Sequence, residues 1–298
     1  MDTGAPAFIG GYSERVVATI DELSLYARDY APLEPATGLP VICLHGLTRN
    51  SRDFEVVAPR IAALGRRVIA PDMRGRGQSA NDPDPSHYAP AVYAQDVLTL
   101  MDALGIPKAV FVGTSMGGLI TMVISTIAPD RIAASVLNDV GPKLNLEGLE
   151  RIATYVGRVE PVSSWQEAAE AVRAINGQAY PERLDDEAFW LAFARRTYRQ
   201  SEDGMIEADY DPHIALAFID IGDEPPADLT PVFAALAQKP MLLVRGENSD
   251  ILTSAGAEEM RTLKPDLVTA EIPNVGHAPM LDEPESWNAL LDFLAQVD

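Results

Sequence analysis

Short, almost unbroken apolar runs alternate with helix-length stretches over most of this chain. The runs at 41–44, 68–70, 109–112, 133–137, 241–244 and 267–272 lack the regular polar interruptions of a half-exposed strand, so each is expected to be a strand covered on both faces. Between them lie stretches long enough for helices, at 54–64, 91–104, 116–127 and 254–263. Strand alternating with helix predicts an α/β fold: a largely parallel sheet with helices on both sides. Ahead of this pattern, 15–20 and 23–30 alternate enough to suggest two antiparallel strands joined at Asp21-Glu22.

The alternation stops after Asn138-Asp139-Val140-Gly141-Pro142 and resumes near Pro240. The interval reads as successive helices at 146–159, 163–175, 185–199 and 211–218, with no strand signal among them. An insertion at this point of a parallel sheet is expected to form a helical lid over the carboxyl ends of the strands, where open α/β sheets bind ligands. The expected division is therefore a core of 1–141 and 230–298 with a cap of 142–229. The cap aromatics Tyr155, Trp165, Phe189, Trp190, Phe193, Tyr198 and Phe218 are candidates for a pocket roof, although most are expected to pack within the lid. The proline-rich piece at 81–90 reads as a loop.

The run at 109–112 meets Gly113-Thr114-Ser115-Met116-Gly117-Gly118 and passes straight into a helical stretch. A GxSxG pattern at a strand-to-helix junction is the form of a nucleophile elbow, in which small flanking residues let one serine stand clear of the backbone. A serine hydroxyl is a weak nucleophile at neutral pH and needs a base, and the base needs a carboxylate to orient it. His277, in Asn274-Val275-Gly276-His277-Ala278-Pro279 after the last apolar run, is the best placed of the four histidines. Asp250, after the run at 241–244, is the favoured acid, and the order Ser115, Asp250, His277 suits a strand–turn–helix scaffold. Asp139, at the end of the preceding strand, is the rival. The backbone N–H groups of Met116 and of Leu47, in His45-Gly46-Leu47-Thr48, are the expected donors to a tetrahedral oxyanion. His45 is expected to shape that loop.

Composition narrows the partners. The chain has 298 residues with 47% hydrophobic content, enough for a full core. A formal charge of −21, from 44 acidic against 23 basic residues, opposes encounters with nucleic acid or an anionic membrane. No run reaches the length of a membrane span and the first residues lack the basic-then-apolar order of a secretory leader, so a cytoplasmic location is expected. The single cysteine, Cys43, lies inside an apolar run and is expected to be a buried small hydrophobe. No metal or organic cofactor is expected, since the His and Cys spacing suggests no zinc site.

Taken together, the LHGLT turn at 44–48, DMRGRGQS at 72–79, GTSMGG at 113–118, RGENSD ending at Asp250 and NVGHAP around His277 resemble the α/β-hydrolase superfamily over nearly the whole chain. The resemblance implies an eight-stranded, mostly parallel sheet with a cap inserted after the sixth strand. It also implies that 72–79 is a structural turn. A serine at the elbow sets the chain apart from the dehalogenases and epoxide hydrolases, which carry aspartate there. HGLTRN differs from the glycine-rich turns of C–C hydrolases and of proline iminopeptidases. The expected reaction is hydrolysis of a small-molecule carboxylic ester or lactone through an acyl-enzyme. An acyltransferase, a C–C bond hydrolase and a non-catalytic ligand receptor on the same scaffold are the alternatives.

Overall fold

The computed structural model describes residues 11–218 and 228–297. Strands β1 (Ser13–Ala18) and β2 (Ser24–Tyr30) form the expected antiparallel pair. There follow β3 (Val41–Leu44), α1 (Val57–Ala62), β4 (Val68–Pro71), α2 (Pro90–Ala103), β5 (Ala109–Thr114), α3 (Met116–Ile127) and β6 (Ile132–Asn138). The inserted segment carries α4 (Leu146–Tyr155), α5 (Trp165–Asn176), α6 (Glu187–Thr197), β7 (Tyr198–Gln200) and β8 (Ile206–Ala208). The chain closes with α7 (Thr230–Leu236), β9 (Met241–Gly246), α8 (Ser254–Leu263), β10 (Val268–Ile272) and α9 (Pro284–Leu294).

One eight-stranded sheet runs in the order β1-β2-β4-β3-β5-β6-β9-β10. It is parallel from β4 to β10, and β2 joins β4 antiparallel. The continuous apolar runs have a simple cause. Ile42, Leu44 and Phe111 point into one hydrophobic layer, while Val41, Cys43, Val110 and Val112 point into the other. Both faces are dry, so successive residues of one strand are all apolar. Cys43 is fully buried in the second layer, and burial pushes its thiol pKa well up.

Four expectations about elements are corrected. The helix expected at 54–64 is a 3-10 turn, Ser51–Phe54, followed by the six-residue α1. Pro59 tolerates only the first turn of a helix, because its ring would collide with the carbonyl four residues earlier. The inserted segment is not purely helical: α6 stops at Thr197 and a hairpin of β7 and β8 follows, with Tyr198 opposite Ala208. Three residues per strand are too few to register as alternation, although Asp203-Gly204, with Gly204 at φ 88°, is a turn signal. Helix α4 ends at Tyr155 rather than 159, where Gly157 adopts φ 70° and reverses the chain. The last expected cap helix is a 3-10 stretch, Pro212–Phe218. The Phe218 side chain lies outside the described residues. Among the described residues, no helix is long and apolar enough to cross a membrane.

Candidate active site

Ser115 sits where β5 turns into α3, with φ 50° and ψ −113°. An L-residue adopts such a backbone at a cost of about 1–3 kcal/mol, so the surroundings must enforce it. They do so through close approach. A Cβ on Gly117 would lie 2.1 Å from the Leu44 carbonyl oxygen, and one on Gly113 would lie 2.5 Å from the Gly117 carbonyl carbon. The glycines therefore let β3, β5 and the start of α3 pack at backbone contact. The Ser115 N–H donates to the Asn138 carbonyl at 2.9 Å, which ties the elbow to the end of β6.

The loop after β10 carries His277 to this serine. Its Nε2 lies 2.9 Å from Ser115 Oγ and its Nδ1 lies 2.7 Å from Asp139 Oδ2. With a proton on Nδ1 donated to the carboxylate, Nε2 is left to accept from the hydroxyl. Three contacts hold the loop. Gly276 N–H donates to Ala179 O at 2.7 Å, Asn138 Nδ2 donates to Pro279 O at 2.8 Å, and the Tyr180 hydroxyl donates to Ala278 O at 2.6 Å. Two of these partners, Ala179 and Tyr180, belong to the inserted segment.

The carboxylate beside the imidazole is Asp139, and the expectation of Asp250 is corrected. Asp139 is fully buried at the end of β6 with φ 57°. Its Oδ1 accepts from Gly246 N–H at 2.9 Å and its Oδ2 from Ser249 Oγ at 2.6 Å, besides the imidazole. Asp250 instead faces Arg151 of α4, whose Nη2 donates to its Oδ1 at 3.0 Å and whose Nε donates to its Oδ2. Burial by itself would raise the Asp250 pKa, but the Arg151 hydrogen bonds and charge, with a smaller contribution from the nearby His277, bring it below the ordinary carboxylate value. The sequence held no sign of Ser249 or Tyr180 as neighbours of the site, because their contacts span more than ninety residues.

Leu47 lines the same cleft as Ser115 and His277, and Met116 follows the serine at the first position of α3. The loop bearing Leu47 is pinned from beneath. His45 is fully buried, its Nδ1 lies 2.7 Å from Gly46 O, and its Nε2 accepts from Met73 N–H at 3.0 Å. Burial lowers its pKa to about 3, so it stays neutral and acts as a tether. Arg76 donates from Nε to Leu47 O at 3.0 Å and places Nη2 3.7 Å from Met116 Sδ. The 72–79 stretch thus supports both candidate oxyanion positions, a role its turn-like pattern did not announce. Asp72 closes the turn by accepting from Ser51 N–H at 2.6 Å and Gln78 N–H at 2.9 Å.

The walls of the cleft include Ile152, Tyr155 and Asn176 from the inserted segment. Of the cap aromatics, Tyr155 faces this cleft, while Phe193 and Tyr198 face a smaller adjoining recess. Phe189, Trp190 and Phe193 pack against one another and Tyr180, and Trp165 lies under Arg195. Among the described residues, one group has the spacing to hold a metal ion: Asp21, Asp82 and His87. Arg74 already pairs with both carboxylates there.

Known proteins agree with this architecture. Residues 40–284 match the family described as the alpha/beta hydrolase fold. The chain is 34% identical to a 3-hydroxybutyrate-oligomer hydrolase of Cupriavidus necator, over 84% of this chain and 86% of that one. It is 28% identical to a 2-(acetamidomethylene)succinate hydrolase of Mesorhizobium japonicum, over 88% of this chain and 90% of that one. A crystal structure of an alpha/beta hydrolase from Novosphingobium aromaticivorans superimposes with a TM-score of 0.89 at 43% identity, covering 97% of this chain and 100% of the other. With the sheet order, the strained serine turn and a family match running from β3 to the start of α9, the chain belongs to the α/β-hydrolase family.

Proposed function

We propose that this protein is a serine hydrolase of carboxylic esters or lactones, acting through an acyl-enzyme. The observation that carries the reading is the continuous chain of contacts Ser115 Oγ, His277 Nε2, His277 Nδ1, Asp139 Oδ2, at 2.9 and 2.7 Å. In the first half-reaction Ser115 attacks the carbonyl carbon as His277 takes the hydroxyl proton, and the alkoxide of the substrate leaves with that proton. In the second, His277 accepts a proton from water, the resulting hydroxide equivalent attacks the acyl-serine, and Ser115 is released with its proton restored. Asp139 stabilises the imidazolium in both.

Amides of Leu47 and Met116 are proposed to hold the oxyanion, each worth about 3 kcal/mol of transition-state stabilisation. The reading needs no metal or organic cofactor. Ester chemistry is favoured because one relative is named for oligomers of 3-hydroxybutyrate, and condensing a hydroxy acid with itself makes esters. The test is turnover of p-nitrophenyl esters and simple lactones by the purified protein, with Ser115→Ala as control. Multiple turnovers lost by about 10⁴-fold or more in the variant would bear the reading out. Tight binding of these compounds without turnover by the unaltered protein would overturn it in favour of a receptor.

A further inference from the structure

The catalytic contacts say nothing about which ester enters, but the cleft wall holds a cation that the proposed chemistry does not use. Arg49 lies on the loop after β3, and among the described residues lining the cleft it carries the one permanent positive charge, beside the Asp53 carboxylate that lines the cleft with it. A methyl group built on Gly46 would lie 3.6 Å from Arg49 Cγ and 3.8 Å from Ser115 Cβ, so the arginine stem and the serine border the same small space. Arg49 also lines the adjoining apolar recess, which places it at the junction of the two.

Its guanidinium is held in one orientation with most of its donors still open. One flat face stacks on the Phe193 ring, with Cζ 4.0 Å from the centroid. Asp53 accepts from Nη1 at 3.2 Å, the one hydrogen bond described for this side chain. A guanidinium has five N–H donors around its edge, and stacking occupies the face rather than the edge. The arrangement leaves donors on the edge of the guanidinium that no described hydrogen bond uses, on a residue lining the cleft. The Asn176 amide, which lines the same wall, spends one of its two N–H groups on Val172 O at 2.9 Å and keeps the other. The positive charge reaches further: burial raises the pKa of the Tyr155 and Tyr180 phenols, and Arg49 opposes that rise at both.

We infer that Arg49 is a substrate-binding residue that recognises a carboxylate, so the preferred ester is one carrying a free carboxylate a few bonds from the scissile carbonyl. The inference rests on the ester-hydrolase reading above and adds the substrate class. The overall charge of −21 repels such an anion at long range, and a short-range charged hydrogen bond at Arg49 offsets that repulsion.

The test compares mono-p-nitrophenyl adipate with p-nitrophenyl hexanoate, which has the same chain length without the charge, in the unaltered protein and in Arg49→Gln and Arg49→Lys. The unaltered protein is expected to favour the adipate ester. Arg49→Gln is expected to lower the adipate-to-hexanoate ratio of kcat/KM by at least about tenfold, mainly through KM, because the charged hydrogen bond to the carboxylate is lost. Arg49→Lys should recover part of the ratio. Equal losses on both esters would mean that Arg49 merely props the loop against Phe193, and would overturn the inference. So would an unaltered protein that prefers hexanoate with a ratio insensitive to the substitution. Both outcomes leave the ester-hydrolase reading standing, whereas no turnover of either ester by the unaltered protein removes that reading itself.

Discussion

Asp139 and Asp250 follow neighbouring parallel strands, β6 and β9, beyond their carboxyl ends, and their surroundings could hardly differ more. Asp139 is fully buried, its backbone is bent to a positive φ, and its oxygens are held by a main-chain N–H and a serine hydroxyl before the imidazole arrives. Asp250 is part-buried and committed to an arginine from the inserted segment. On the proposed mechanism, the contrast sets out what an orienting carboxylate needs. Its lone pairs must be fixed by groups that do not compete as bases, and its neighbourhood must be dry enough for the charge to act on the imidazole. Asp250 meets the first condition through the Arg151 guanidinium, but it is partly exposed and its charge is engaged by that cation, so it fails the second.

The comparison can be broken most directly by exchanging the two acids for amides. Asp139→Asn is expected to lower kcat on a p-nitrophenyl ester by about 10³–10⁴-fold with the fold retained, because the imidazole is then held in the wrong tautomer. Asp250→Asn should change it by only a few fold. Reversed magnitudes in those two steady-state assays would return the role to Asp250.

A finer probe is Ser249→Ala, which removes the 2.6 Å hydrogen bond to Asp139, together with those the hydroxyl accepts from Ile251 N–H and Leu252 N–H, and leaves the imidazole contact in place. About one lost hydrogen bond to a charged group, or roughly tenfold in kcat, is expected, with KM unchanged. An unaltered kcat would show that Gly246 N–H alone suffices to hold the carboxylate. Smaller again is Tyr180→Phe, which deletes the hydroxyl that holds Ala278 O beside His277. Its cost is expected at about 1 kcal/mol in thermal unfolding, with a kcat loss of a few fold. A loss confined to stability would mean that the histidine loop needs no tether from the inserted segment.

The smallest effect concerns the other member of the comparison. Arg151→Met should lower stability by no more than about 1 kcal/mol at neutral pH, as for a partly exposed ion pair. The sign of its pH dependence is set by Asp250, whose folded-state pKa lies below the ordinary value of 3.8. Its contribution is complete above that ordinary value and fades as pH falls through the depressed one, so the two proteins should converge in acid. Urea unfolding of both at neutral and acid pH measures it. A gap that widened in acid would contradict the pairing.

Much of the fold could be read before folding was considered, because its causes are local. Apolar runs at β3 and β5, bounded by turn residues, can only be strands buried on both sides, and they begin where expected. The serine turn was legible for the same reason: glycines at 113 and 117 are needed where backbone meets backbone, and that need is visible as composition. The β7–β8 hairpin was not legible, since strands of three residues leave no period to detect. The early stop of α4 turned on the conformation of one glycine.

What the sequence alone determined is the kind of protein: an α/β chain with a serine at a strained turn and a histidine on a late loop, each announced by residues within a few positions of it. What only the tertiary structure decided is which carboxylate faces that histidine, and which arginine is left lining the cleft. Asp139 and Asp250 are equally plausible as letters after a strand. The choice depends on where the Arg151 guanidinium and the Ser249 hydroxyl come to rest, more than ninety residues from their partners. Side-chain direction over such separations is set by packing, and no local pattern encodes it.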